Sequence, residues 1–410
     1  MGDERAGRGS AAAAETVDIL ISGGGIAGLT AAAAFGAEGF SVLCVDPAPP
    51  VTDEGAPGAD LRTTAFLQPS QRVLERAGLW SRLAPHAAPL AVMRIVDAGG
   101  ARPEARVTRD FDAAEIGEEP FGWNFPNWLL RRELLAHLRT LPGVTLRTGI
   151  ATAGVVTRAA EAWVTLSDGA RLSARLVIAA DGRASPVREG AGIGVHTTRY
   201  GQKALVFAVT HPVPHRGVST EIHRSGGPFT LVPLPDRDGL ACSAVVWMER
   251  GAEAERLAAL PVAEFEAAAL ERSAGLFGPL ALVGGRALWP MIAQIADRFE
   301  AERIALVAEA AHVVPPIGAQ GLNMSLADLA CLRDLAVARP EGLGDRAMLT
   351  AYHRRRWPEV KARLTGIDLL NRASMVAVRP LRDLRAGALG ALHALKPLRR
   401  GLMKAGLGMR

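Results

Sequence analysis

The chain has 410 residues, 49% of them hydrophobic and 22% charged, with a net charge of +5. That is about two to three domains' worth of chain, and the composition excludes both a small stapled module and a largely disordered protein. Three scattered cysteines without a CxxC pair exclude a disulfide framework and a cysteine-rich zinc site, fitting a reducing cytosol, and no apolar run approaches the ~18 residues of a membrane-spanning helix.

Residues 1–15 lack an apolar signal region and read as a disordered extension. VDILISG (17–23) is short, apolar and stopped by glycines, which predicts a buried strand of a parallel sheet. GGGIAG then opens an alanine-rich helix ending near Gly39, and FSVLCVD (40–46) is the second strand of a β-α-β unit. A Pro/Gly-rich loop (47–60) follows, then a helix from about Pro69. Residues 88–125 alternate loosely, as strands and loops outside that unit do, and 127–141 is a helix stopped by Pro142-Gly143. From 144 to 182 the pattern is strand, hairpin turning at Ser167-Asp168-Gly169, and strand. Residues 200–250 read as β, 253–275 as helical, 303–312 as a buried strand running into a turn, and 321–337 as a helix.

Three segments carry chemistry. Gly23, Gly25 and Gly28 fit G-x-G-x-x-G between a strand and a helix. The first glycine permits the tight turn, the second lets a pyrophosphate approach the backbone, and the third lets helix and strand pack closely. Asp46 ends the second strand eighteen residues after Gly28, where a carboxylate accepts from an adenosine ribose. AADGRASPVR (179–188) ends a strand with Asp-Gly, by itself an ordinary turn. RIALVAEAAHVVPPIGAQGLNMSLAD (303–328) delivers Glu309 to a turn, then a rigid loop, then a helix whose N-terminus favours negative charge. His196, His211, His215 and His223 fall at no metal-ligand spacing, so no metal site is expected, and no GxSxG occurs. The tryptophans read as core and pocket lining rather than stacking platforms, and Trp247, on a strand of the 200–250 region, is the one to test for substrate contact.

In this order and at these separations the segments resemble the flavin-dependent aromatic hydroxylases of the p-hydroxybenzoate-hydroxylase fold, from about Asp18 to about Asp368. DLRTTAFLQPSQRVLERAGLW, NWLLRRELLAHL and PPIGAQGLNMSLADLA look most like the ubiquinone-biosynthesis hydroxylases of the UbiH/UbiF type. The resemblance implies an α/β chain: a Rossmann-like FAD-binding domain interleaved with a β-sheet substrate domain, and a helical C-terminus. The FAD-binding domain would comprise 16–85, 127–195 and 285–350, the substrate domain 86–126 and 196–284, and the basic helical region 351–410. Gly23, Gly25, Ala27 and Gly28 would hold the FAD pyrophosphate, and Asp46 the ribose. Arg62 would lie near the flavin and its phosphates, with Asn127 and Arg131 on the helix that reaches the cofactor. Asp181 and Gly182 would serve FAD and the nicotinamide cofactor, while Pro315 and Pro316 would wall the reactive face. Gly318, Gly321, Leu322 and Asn323 would line the pyrimidine edge. The family usually has Gly-Asp where this chain has Ala308-Glu309, so the carboxylate that bonds the ribityl chain is one methylene longer here.

The implied activity is a class A flavoprotein monooxygenase. NAD(P)H reduces FAD, and O2 is consumed in hydroxylating the ring of a polyprenylated ubiquinone precursor; no general acid or base is assigned. The alternatives are a hydroxylase of a small soluble aromatic acid and a non-catalytic FAD-binding assembly subunit working with other ubiquinone-biosynthesis proteins. Residues 351–410 hold fourteen Lys and Arg against three Asp and Glu, so the rest of the chain is net acidic. From Leu381 onward leucines recur at near-helical spacing beside basic residues, with Pro397 expected to kink the helix. This segment (381–410) reads either as a surface for an anionic membrane or as a final helix docked on the body. The expected location is the cytoplasm, peripheral to the inner membrane face in the first case. Nucleic acid is a poor partner for an acidic body whose basic tail lacks aromatics after residue 380.

Overall fold

A computed structural model describes residues 15–100, 102–117, 119–224, 226–375 and 393–408. In chain order the first part contains β1 (Glu15–Ser22), α1 (Ile26–Gly36), β2 (Val42–Asp46), β3 (Thr63–Leu67), α2 (Gln68–Arg76), α3 (Trp80–Leu83), β4 (Ala88–Leu90), β5 (Val92–Asp97), β6 (Val107–Asp112), β7 (Gly122–Pro126), α4 (Asn127–Leu138) and β8 (Val144–Thr148). The middle contains β9 (Thr152–Thr157), β10 (Ala162–Leu166), β11 (Arg171–Ala179), α5 (Pro186–Gly190), β12 (Val195–His211), β13 (Val218–His223), β14 (Pro228–Arg237), β15 (Leu240–Arg250), α6 (Gly251–Ala259) and α7 (Val262–Arg272). The last part contains β16 (Ala281–Ala296), β17 (Glu300–Ala301), β18 (Ile304–Leu306), α8 (Ala308–Ala311), β19 (His312–Val313), α9 (Gln320–Ala338), α10 (Arg346–Ser374) and α11 (Lys396–Leu407).

Among the described residues these strands form three sheets. The first runs β17-β18-β11-β1-β2-β8, with β10 and β9 added beside β11, and β18, β11, β1, β2 and β8 pair in parallel. Ile19, Leu20 and Ile21 are buried, as a strand covered by helices on both faces requires. Four consecutive buried alanines, Ala31–Ala34, let α1 lie close on this sheet. The second sheet runs β19-β16-β12-β15-β14-β13-β5-β6, and β3, β7 and β4 make the third. One face of the second sheet presents Leu205, Phe207, Val209, Val245 and Trp247 to α6 and α7; the alternate residues Ala204, Val206 and Met248 face the other way.

Several expectations shift. Glu15 already belongs to β1, and residues 1–14 of the expected extension lie outside the described residues. Residues 285–296 pair with β12 in the second sheet instead of joining the FAD-binding segments, because β16 is one long bulged strand beside β12. Glu309 sits on the one-turn helix α8 and not in a turn. Pro397 occupies the first turn of α11, where its missing N–H has no intrahelical partner to lose, so it starts the helix and does not kink it. Residues 381–392, 409 and 410 of the amphipathic tail lie outside the described residues. Among the described residues no helix is long and apolar enough to cross a membrane.

Helix α10 fastens both large sheets. Tyr352 donates to the Leu306 carbonyl of β18 (2.8 Å), and Trp357 donates to Ala296 at the end of β16 (2.9 Å). Farther along, Asp368 accepts from Tyr200 (2.8 Å) and Asn371 donates to Gln202 (3.1 Å), both on β12. At the centre of this packing Asp328 of α9 is fully buried, 2.6 Å from His312 Nε2 and accepting from Arg356 Nε at 2.7 Å. Burial alone would raise its carboxyl, but the adjacent His312 and Arg356 hold it below the ordinary aspartate range. The protein should lose about 3 kcal/mol of stability in Asp328→Asn at neutral pH, since one partner of a buried charged network is removed. A depressed carboxyl contributes fully above its unfolded pKa of about 4 and loses that contribution as pH falls below it. Urea unfolding of both proteins from neutral to acid pH should therefore show a constant gap that closes only below about pH 4. Ala308 holds φ +53°, where a Cβ is unfavourable; Ala308→Gly should raise the urea midpoint, by up to about 1 kcal/mol in stability.

Candidate flavin site

The first wall is built where β1 ends. Gly23 holds φ +106°, and a Cβ there would stand 2.4 Å from the Ala180 carbonyl. Its absence lets the carboxyl ends of β1 and β11 close on each other, and Ala180 N donates to Ser22 O at 2.8 Å. A Cβ on Gly28 would lie 1.8 Å from Gly23 O, so only glycine lets α1 start directly over the strand end; Ala27 beside it is buried. Gly25, the N-cap of α1, differs: a Cβ there would meet nothing within 4 Å. The first turn of α1 has no side-chain cap and no acid, so its N–H groups and positive dipole end face that open space. Asp46 is held at the end of β2 by Gly24 N (2.6 Å) and Ala48 N (2.9 Å), with lone pairs left on both oxygens. Gly24 was not singled out from sequence, yet a Cβ there would press on Asp46 at 2.9 Å.

The second wall gathers around Asp60. Arg62 makes a two-pronged bond to it (2.8 Å and 2.8 Å), Asn127 Nδ2 donates at 3.0 Å, and Arg131 stands at 3.4 Å. Asn127 and Arg131 are four residues apart on α4 and so share a face. The structure thus brings Arg62, Asn127 and Arg131 together, on a carboxylate that sequence reasoning missed; the signal available was only its place two residues before Arg62. Burial raises the Asp60 carboxyl, but the Arg62 fork, Asn127 and Arg131 outweigh burial and hold it below the ordinary range. The Arg62 guanidinium also lies over Trp289 of β16, 4.1 Å from the ring centroid.

The third wall joins the remaining motifs. Asp181 follows β11, and Gly182 turns the chain with φ +86°. Asp181 Oδ2 accepts from Val187 N at 3.2 Å, while Oδ1 is buried without a partner. Burial holds this carboxyl above the usual aspartate range, with Ser185 and Val187 partly offsetting it. Arg183 stands 3.5 Å from Glu309 and connects this segment to α8. Beyond it, Gly318 (φ +62°) and Ala319 (φ +55°) turn the chain into α9, which again has no side-chain cap and no acid in its first turn. Pro315 is buried and Pro316 exposed; Gly321 and Leu322 lie half-buried in the first turn of α9. The Asn323 side chain is fully engaged, accepting from Leu67 N (2.8 Å) and donating to Ala65 O (2.7 Å) and Ala319 O (2.6 Å). It fastens the loop to β3 and leaves only its backbone for a ligand.

Ile317 of this loop packs on the sheet face of Ala204, Val206, Met248 and Met291, with Trp289 and Tyr200 beside them. That apolar face opposite the loop suits an aromatic ring. Trp247 does not reach it: its ring is buried on the other face, 5.3 Å from Phe229 and 6.1 Å from Phe265. Alternation along β15 sends Met248 to the site and Trp247 to the helices. Taken together the residues fit a flavin dinucleotide: an open glycine at an uncapped helix start, a buried unpartnered carboxylate oxygen, and a second uncapped helix start beside an apolar face.

The FAD binding domain family matches residues 16–366. A ubiquinone hydroxylase, UbiL, of Rhodospirillum rubrum is 36% identical over 397 residues, covering 96% of this chain and 90% of the relative. The 3-demethoxyubiquinol 3-hydroxylase of Escherichia coli is 27% identical over 399 residues, covering 96% and 99%. In fold, the p-nitrophenol 4-monooxygenase PnpA of Pseudomonas putida superposes with a TM-score of 0.79 at 20% identity, covering 97% of this chain and 99% of that one. The chain therefore belongs to the family of FAD-binding aromatic-ring monooxygenases that includes the ubiquinone hydroxylases.

Proposed function

We propose that this FAD-dependent monooxygenase hydroxylates the ring of a polyprenylated intermediate of ubiquinone biosynthesis, taking its electrons from NAD(P)H. The observation that carries the substrate class is the near full-length likeness to the Rhodospirillum rubrum ubiquinone hydroxylase. The flavin, when bound, accepts hydride from the nicotinamide and delivers one oxygen atom of O2 to an electron-rich ring carbon. The chain's own work is placement. The α1 start at Gly25 and the Asp46 carboxylate hold the dinucleotide end. Asp60 fixes Arg62, Asn127 and Arg131 beside it, so that their charges need no reorganisation when phosphates arrive. The uncapped start of α9 stabilises negative charge on the reduced pyrimidine edge. Ala204, Val206 and Met248 exclude water from the ring's other side. A lipid-borne substrate supports the reading of a cytoplasmic enzyme peripheral to the inner membrane face.

Deleting the gene should make one quinone precursor accumulate, and its mass names the substrate and the ring position still unmodified; an unchanged quinone profile would overturn the assignment. Gly25→Val should leave the unfolding transition within about 1 kcal/mol of the parent, yet cut bound FAD at least tenfold as read by flavin absorbance. Gly28→Val should instead unfold the protein, because its side chain has only the Gly23 carbonyl to occupy. Asp60→Ala should weaken FAD binding by about 2 kcal/mol, measured by flavin titration of the apoprotein, since three cationic or amide groups lose their common anchor.

A further inference from the structure

The apolar floor that faces Ile317 ends on a charged pair. A straight row crosses the second sheet from Val206 (β12) to Val246 (β15), Thr230 (β14) and Glu221 (β13), each residue directly opposite the next. Directly opposed residues share a side of a sheet, and Val206 and Val246 belong to the cluster that packs with Ile317 of the flavin loop. Alternation along β13 agrees. Ile222 packs with Phe229 and Leu231 on the side of α6 and α7, so Glu221 and His223 stand on the other side. Two strand spacings put Glu221 about 10 Å from Val246, the reach of a substituted aromatic ring. His223 Nε2 is 2.7 Å from Glu221 Oε1, and the two side chains are 14% and 15% exposed. A carboxylate only accepts, so Nε2 donates. Among the described residues Glu221 Oε2 has no hydrogen-bond partner, and His223 Nδ1 is buried without one. Thr230 and Val246, between the pair and the flavin loop, bring no charge.

A carboxylate largely out of water, with one oxygen unpartnered, favours a hydrogen-bond donor and disfavours a second anion. Beside an apolar floor that suits a ring, the donor that fits is an aromatic hydroxyl. We propose that Glu221 accepts the hydrogen bond of a ring hydroxyl on the substrate, with His223 as the positioning residue that fixes the carboxylate. The site then takes phenols and hydroquinols, and refuses aromatic carboxylates and ethers that lack that hydroxyl. This deepens the reading of the chain as a ring hydroxylase of a quinone precursor, and rests on it. The same hydrogen bond draws the hydroxyl proton toward Glu221 and leaves the ring richer in electrons, which is what attack by an electrophilic oxygen atom requires.

The holoenzyme should bind 4-butylphenol about tenfold more tightly than its methyl ether, 4-butylanisole, as a hydrogen bond to a charged acceptor dictates, read as perturbation of the flavin absorbance. The anion 4-butylbenzoate should bind no better than the ether. Glu221→Leu should bring phenol and ether within about threefold of each other. Glu221→Gln should bind the benzoate about fivefold more tightly than the parent, because a like charge is removed. Both variants should keep the flavin content and unfolding transition of the parent. His223→Leu should weaken phenol binding about threefold, and His223→Gln, whose amide still donates to Glu221, should restore it. A parent that does not tell the phenol from its ether, or that takes the benzoate as tightly as the phenol, overturns the proposal without any variant. So does a Glu221→Leu protein that keeps the preference for the phenol. An unchanged quinone profile after gene deletion, with the preference intact, would overturn the substrate assignment and leave the role of Glu221 standing.

Discussion

The site depends on how closely backbone can approach backbone at the end of β1. With no Cβ at Gly23 and Gly28, two parallel strands and the first turn of α1 meet within van der Waals distance. That leaves the helix start unshielded and aimed outward from the sheet edge. A methyl group at either glycine would push apart the elements that set where Asp46, Asp181 and Gly25 stand. The chemistry of the cradle is therefore a product of packing first and of polar groups second.

Electrostatics then divides the cradle into regions. The Asp60 group concentrates two arginines around one carboxylate, with part of the Arg62 side chain still exposed. The two uncapped helix starts add partial positive charge without bringing a counter-ion. Asp181 carries the opposite tendency: one oxygen is enclosed and unpartnered, so a hydrogen-bond donor arriving there would relieve an unfavourable burial. A ligand with an anionic middle and hydroxylated arms matches that distribution.

Much of this was readable in the residues. Strands β1 and β11 are legible as apolar runs that stop at glycine, and G-x-G-x-x-G sits between strand and helix as the fold requires. Strand β16 was hidden because ALVGGRALWPMIAQIA carries two glycines and a proline that ordinarily argue against a strand; β12 and its bulges override local preference. The face that Trp247 takes is not legible in the sequence, because alternation fixes only relative sides, and which side meets the flavin loop is decided by α6 and α7 covering the other. Asp60 left only its place two residues before Arg62 as a signal, since its other partners, Asn127 and Arg131, arrive from 67 and 71 residues away. Asn323 shows the reverse: its position was foreseen, but its side chain is spent on β3.

The long α10 has a consequence of its own. It is bonded to Leu306 of the parallel sheet and to Tyr200 and Gln202 of the antiparallel one. With Pro358 between the two attachments, the helix acts as a tie between the sheets. Melting of either sheet then drags the other with it.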